Sequence, residues 1–447
     1  MVLFSMVRVH RLKAMVSSGL FCVLVFGGCA GHLPYDTLSG HLAAGNCDQA
    51  LRLVEQSRGA YGTKSELLFL LDSAMVHMAC QKFETAQEGF RKAEDLAQEL
   101  WTRSLSQEVL SLIANDYLLV YPGEDYERAM IHLMSALAYL SVEKFEDALV
   151  ECRRLDSLLA LYNDRYDEKN VYKEDAFGRY LSGILNEADH DLDAAFIDYK
   201  KALEIYADYG SFYQTPAPSF LKEDFMRVAQ RVNRKAEALA IVPDGEEAGK
   251  WLPHTPGLGE IVVIFLSGTA PVKTEDRIYI PTRQGPITLA FPRFLPTADT
   301  PKNIPVFIKS QLGQREVRAE LVADISAIAR KNLADHRARI IAKTIARAVA
   351  KQVVIQQAAK QAAKNKDKDV EQAIETALNL LNLFLEHADL RSWRTLPAAI
   401  FMARAFVEPG DWQVAVPSPG NGGEKTKNIL VTAGKIHYIV VNDSFGL

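Results

Sequence analysis

Cys29, four evenly spaced basic residues and an Arg-Trp-Arg run are the residues of this chain whose type and position suggest chemistry. Cys29 follows Val25-Phe26-Gly27-Gly28. The run resembles the bacterial lipobox, which implies acylation of the Cys29 thiol and cleavage at its amide; ordinary signal-peptide cleavage with Cys29 a spare thiol is the alternative. Arg339, Lys343, Arg347 and Lys351 recur every four residues beside Ile341, Ile345 and Val349. That spacing predicts one basic amphipathic helix face, suited to an anionic phospholipid, an anionic wall polymer or an acidic partner. It equally suits a solvated face balanced by acidic residues of the N-terminal half, because its apolar side is rich in alanine and lacks Trp or Phe. Arg391 and Arg394 flank Trp393 within Asp389-Leu390-Arg391-Ser392-Trp393-Arg394-Thr395-Leu396-Pro397. The run reads as a recognition pair beside an aromatic platform, or as a buried tryptophan with an arginine held by Asp389.

Standard catalytic patterns are missing. No two of the ten histidines stand three to five residues apart, and there is neither Gly-x-Ser-x-Gly nor a phosphate-binding Gly-x-x-x-x-Gly-Lys. No enzyme activity, cofactor or metal is therefore expected. Beyond the leader and Cys29 stand Cys47, Cys80 and Cys152. Three cysteines cannot all pair, and each falls on an apolar helical position, so buried thiols are expected rather than a disulfide.

The N-terminus reads as an address. Arg8, Arg11 and Lys13 precede an apolar stretch from Ala14 to Phe26, which is short for a membrane span and right for a signal peptide over 1–28, with 29–34 as the lipidated tether. Ala30, a residue other than Asp after the cysteine, resembles the outer-membrane sorting signal. The whole sequence carries a net charge of −5. Loss of the three basic leader residues leaves 48 Lys and Arg against 56 Asp and Glu, an acidic protein for which nucleic acid is an unsuitable partner. Against this background, residues 330–366 hold ten basic residues and one acidic, Asp335.

The elements that must position these residues fall into two halves. Residues 35–242 predict helix pairs, because one phrase recurs: Cys47-Asp48-Gln49-Ala50, Phe83-Glu84-Thr85-Ala86, Phe145-Glu146-Asp147-Ala148 and Leu192-Asp193-Ala194-Ala195. Each acidic residue falls in a helix's first turn, at the positive end of its dipole. Val54, Phe90, Cys152 and Tyr199 stand four residues after these alanines, and Ala74, Ala136 and Gly183 stand twelve before the last three. The spacing predicts a small residue on one helix packed beneath an alanine and a larger side chain on the next. These positions resemble the tetratricopeptide repeat. A generic helical bundle is the plainer alternative.

A linker is expected over 243–259, then an antiparallel β domain over 260–447, with strands in 260–310 and 400–441 and a helical insertion over 311–387. Ile261–Leu266 predicts a strand buried on both faces. Arg404–Val407 with Trp412–Val416, and Asn428–Thr432 with Ile436–Val441, predict two closing hairpins around a loop at Gly420–Gly423. Leu381, Phe384 and Leu385 are expected to pack in the insertion's core.

Taken with the cysteine motif, five segments are similar to a family of tetratricopeptide-like bacterial outer-membrane lipoproteins: Asp125-Tyr126-Glu127-Arg128, Phe145–Glu151, Asp193–Leu203, Gly268-Thr269-Ala270-Pro271-Val272-Lys273 and the Asp389–Pro397 run. The resemblance implies an envelope location and a repeat fold, and it brings no catalytic residues. The function expected is a lipid-anchored scaffold facing the periplasm, its repeat domain binding envelope proteins. A wall-directed protein, binding peptidoglycan or acting on or through wall enzymes, is the alternative.

Overall fold

The computed structural model describes residues 33–106, 119–165, 172–243, 257–281, 287–311, 313–362, 387–417 and 423–443. The signal peptide 1–28, Cys29, most of the linker, Leu381, Phe384, Leu385 and Gly420–Gly422 lie outside the described residues.

Among the described residues, eleven α-helices fill the first half: α1 (Tyr35–Ala43), α2 (Cys47–Gln56), α3 (Arg58–Tyr61), α4 (Glu66–Ala79), α5 (Phe83–Ser106), α6 (Asp125–Leu140), α7 (Phe145–Arg165), α8 (Ala176–Ala188), α9 (Leu192–Phe212), α10 (Ser219–Arg231) and α11 (Lys235–Ile241). They form five pairs, α1–α2, α4–α5, α6–α7, α8–α9 and α10–α11, and each second helix packs on the first helix of the next pair. The recurring phrase starts α2, α5, α7 and α9. Its four alanines, together with Phe90, Cys152, Tyr199, Ala74 and Ala136, are buried. Gly183 is needed where it stands, since a Cβ there would lie 2.5 Å from the Tyr199 ring.

The pairs also share a turn that the phrase does not reveal. Gly45, Gln81, Glu143, His190 and Asn233 all have positive φ, and each lies five residues before a buried alanine: Ala50, Ala86, Ala148, Ala195 and Ala238. The amide that follows each closes the helix end, as Lys82 N to His77 O and Arg234 N to Ala229 O at 2.8 and 2.7 Å. Ala238 marks a fifth copy, hidden because Lys235-Ala236-Glu237 lacks the apolar first residue.

Cys47 and Cys80 are joined by a disulfide, and Cys152 is the buried free thiol. The expectation of three thiols is thereby corrected. Cys47 opens α2 and Cys80 follows α4, and packing of those two helices brings the Cα atoms to 5.5 Å. The bond pins the first pair around Leu38, Leu42, Ala50, Val54, Phe69 and Val76. Its separation is 33 residues, so reduction is expected to cost about 4 kcal/mol. Thermal melts with and without reductant check this, and identical melts would show that the bond contributes nothing.

The second half contains β1 (Gly259–Thr269), β2 (Lys273–Ile280), β3 (Ile287–Phe294), β4 (Asn303–Ser310), β5 (Gly313–Asp324), α12 (Ile325–Ala362), β6 (Pro397–Val407), β7 (Gly410–Pro417), β8 (Glu424–Val431) and β9 (Ile436–Asp443). Seven strands make one sheet in the order β8-β7-β4-β5-β6-β1-β9, and β2–β3 is a separate ribbon. The large sheet is antiparallel except for β1–β9, which run parallel.

Three sequence expectations change here. The helical insertion begins at Ile325 rather than 311, because Gly313–Asp324 is a strand. Arg404–Val407 and Trp412–Val416 do not pair: β6 has both edges taken by β1 and β5, so β7 crosses to β4. The β8 and β9 strands sit at opposite ends of the strand order. The sheet nevertheless curls until those ends approach, with Lys425 Nζ 3.9 Å from Asp443 Oδ1.

The central strands are buried on both faces. Ile261, Val263, Phe265, Phe401, Val414 and Ile439 enclose a core inside the curl. Val262, Ile264, Leu266, Ile400, Met402 and Val440 point the other way and join the core of the helical array. The two halves of the sequence therefore share one hydrophobic core.

Candidate functional site

In a stacked array of helix pairs, one set of helices lines the inner surface. Here α4, α6, α8 and α10 turn toward the sheet, and they carry a row of buried acidic side chains. Asp72 on α4 accepts hydrogen bonds from Tyr35, Tyr61 and Thr395 at 2.8, 2.6 and 2.7 Å. Glu127 on α6 accepts from Tyr121 at 2.5 Å and from the Trp393 backbone amide at 2.7 Å. Glu124, which caps α6, is bonded to the buried Lys273 of β2. Asp224 on α10 accepts from Tyr180 at 2.5 Å and is bonded to Arg404 of β6. Burial pushes the Asp72 and Glu127 carboxyls upward, opposed by these donors.

The inner surface thus has a ligand already, and it is the chain's own C-terminal half. Residues 387–396 run across it with no helix or strand. Trp393 has no exposed surface, its ring lies 6.3 Å from that of Phe90, and its indole N–H donates to Thr395 Oγ1 at 2.9 Å. Arg391 forks onto Asp389 at 2.8 and 2.6 Å and donates to the carbonyls of Lys64 and Leu119 at 3.1 and 3.0 Å. The Arg394 guanidinium stacks 4.0 Å over the Tyr35 ring. The structure brings Arg391, Trp393 and Arg394 together as fasteners between the halves. Trp393 offers no platform to a separate partner.

The basic quartet is also placed differently from its expectation. Arg339 is exposed and Lys343 and Lys351 are half-buried, but Arg347 is only 3% exposed, beside buried Thr344. Val349 is 54% exposed, and Ile345, Val353 and Val354 are exposed with it. A four-residue spacing fixes which residues share a helix face, not which face turns inward. The quartet and the Arg391–Arg394 run form no common site.

A second polar constellation lies along α6, where α5 and α7 flank it. A cavity of about 160 Å³ opens there, lined by Gln87, Glu94, Ser135, Tyr139, Glu151 and Arg154 among others. His132 Nδ1 lies 2.8 Å from Glu151 Oε2, and both side chains are buried. Glu94, His132 and Glu151 each offer an atom within 4.8 Å of the others. Sequence motifs missed this group because its members come from three helices; the only sequence signal was the alignment of α5 and α7 as equivalent second helices.

No known family model matches the chain, and no curated protein matches it. Among solved structures, MamA of AMB-1 covers 49% of this chain and 91% of its own length at 16% identity and a TM-score of 0.29. BtubC (BKLC) of P. vanneervenii covers 48% and 78% at 15% and 0.32. A kinesin light chain of Podosopora anserina with TPR-like repeats covers 48% and 92% at 13% and 0.31. At this level of likeness, the helix pairing described above rests on the chain's own contacts.

Proposed function

We propose that this protein is a lipid-anchored scaffold of the bacterial envelope. Cys29 carries the lipid, the folded chain faces the periplasm from the outer membrane, and it acts by holding envelope proteins rather than by turning over a substrate. The observation that carries this reading is the occupied inner surface. An array whose inner face is filled by its own chain presents partners with the outer sides of its second helices, where Leu161 of α7 and Ile197 and Phe212 of α9 are exposed. The Cys47–Cys80 bond supports the location, since such bonds persist in oxidising compartments. No described helix is long and apolar enough to cross a membrane.

Two variants test the reading. Cys29→Ser is expected to move the protein from the membrane fraction to the soluble one; retention in the membrane would remove the anchor. Leu161→Glu with Ile197→Glu is expected to leave folding intact and to deplete the proteins crosslinked to it in living cells. An unchanged set would rule out that surface, and an empty wild-type set would rule out the scaffold. Release of fragments from purified peptidoglycan would replace it with a wall enzyme, and co-sedimentation without turnover with a wall-binding protein.

A further inference from the structure

We propose that Glu94, His132 and Glu151 form a binding site for a divalent transition-metal ion of the zinc class, open to the cavity between α5, α6 and α7. The inference does not depend on the scaffold reading. Its first support is geometry. Glu94 projects from α5, His132 from α6 and Glu151 from α7, and their donor atoms lie within 4.8 Å of one another. Modest side-chain rotation closes such a set onto one ion at the roughly 2.0–2.2 Å bond lengths that zinc takes with imidazole nitrogen and carboxylate oxygen.

The donor types select the metal. One imidazole with two carboxylates is a mixed set that suits zinc and its neighbours in the first transition row. Calcium takes about six to eight oxygens, and magnesium prefers oxygen ligands and bound water, so neither matches a three-donor group with a nitrogen. Two carboxylates and a neutral imidazole balance a doubly charged ion. That balance matters because His132 and Glu151 are both buried, where an uncompensated charge is costly.

The second support is independent of the donors. Ser135 lies on α6 one turn after His132 and lines the cavity. It is only 5% exposed. The cavity that it lines is large enough for several water molecules and lies beside the three metal donors. Three protein ligands leave a fourth position, and a water there, held by Ser135, would complete a tetrahedral shell.

One residue competes for the place. Arg154 Nη1 lies 3.2 Å from Glu94 Oε2 and 3.4 Å from Glu151 Oε1, so its guanidinium supplies the positive charge in the absence of an ion. The Arg154 side chain is half exposed and can turn into solvent at little cost. Metal and Arg154 should therefore exclude each other. This gives the proposal a signature that a purely structural ion-pair cluster would lack.

The test is equilibrium dialysis of the folded, full-length protein against Zn²⁺, with Co²⁺ as a spectroscopic stand-in whose visible absorption reports a low coordination number. One equivalent is expected to bind saturably. His132→Ala and Glu94→Gln should each weaken binding by about tenfold or more, since each removes one of three protein ligands. Glu94 is only half-buried, so Glu94→Gln carries little risk to folding, and its melting curve verifies this. Arg154→Ala should tighten binding several-fold by removing the competing cation. The proposal is overturned if no saturable equivalent binds, if Glu94→Gln binds as the wild type does, or if Arg154→Ala binds no more tightly.

Discussion

Replacing Trp393 with alanine is expected to destabilise the protein by about 4 kcal/mol, the range measured when a large buried side chain is cut to a methyl group. The side chain has no exposed surface and packs toward Phe90 at the centre of the largest core. Its indole N–H also orders Thr395, whose hydroxyl donates to Asp72. Losing it leaves Thr395 Oγ1 without its donor beside a carboxyl whose pKa burial already raises. Trp393→Phe keeps most of the volume and loses only the N–H, so it should recover more than half of the deficit. For a chain of this size melting as one unit, 4 kcal/mol corresponds to a fall of roughly 5 °C in Tm. The consequence reaches beyond stability, since residues 387–396 hold the sheet to the helices through Asp72 and Glu127. Proteolysis is expected to cut the alanine variant first within 387–396. A wild-type melting temperature together with wild-type resistance to protease would show that the two halves adhere without Trp393.

What the sequence disclosed, and what it concealed, divides by the range of the interactions involved. The four helix starts were legible because an acidic first turn, a buried alanine and a larger side chain four residues on are all local. The fifth, at Lys235, was hidden because its first residue is polar, although Ala238 is as buried as the other alanines. β1 was legible from its unbroken apolar run, since the strand has one core on each face. β5 was not, because Gly313-Gln314-Arg315-Glu316 is exposed and only its second half enters the core. Strand order depends on β6 having both edges occupied, which no local pattern encodes. The disulfide depends on how α2 meets α4. Glu94, His132 and Glu151 meet only because successive pairs stack with α6 between α5 and α7. The Arg391–Arg394 run stood out in the sequence for its composition, yet whether it faces solvent or the array depends on Asp72 and Glu127, far earlier in the chain.

Raising the pH from 5 to 9 is expected to lower stability, contrary to the usual pattern in which buried carboxylates fail in acid, and Glu260 should account for the largest single share. Glu260 enters the interface from β1 and is bonded to Arg404 of β6, which is bonded in turn to Asp224. Arg227 joins the cluster by pairing with Asp224 at 2.7 Å and Glu187 at 2.7 Å. Arg231, at the exposed rim, also reaches Glu187 at 3.6 Å, so of the three arginines that face the three carboxyls only Arg227 and Arg404 are buried with them. Burial pushes Glu260 up to about 8, with the Arg227 guanidinium pulling it down and Glu187 adding to the rise. The sign follows from proton binding. A carboxyl whose pKa is raised on folding holds its proton more tightly in the native state, so its contribution is complete below the unfolded value near 4.5 and is lost as pH rises through about 8. At about 1.4 kcal/mol per pH unit, and allowing for Arg404 remaining beside the ionised carboxylate, the loss is roughly 3–5 kcal/mol. Asp72, Glu127 and Asp175, all raised by burial, shift in the same direction. Glu260→Gln removes the ionisation and keeps an oxygen for Arg404. Urea unfolding of the two proteins at pH 5.5, 7 and 9 separates the Glu260 share, because the variant should match or trail the wild type in acid and surpass it at pH 9. Parallel curves for the two proteins would mean that Glu260 is ionised throughout.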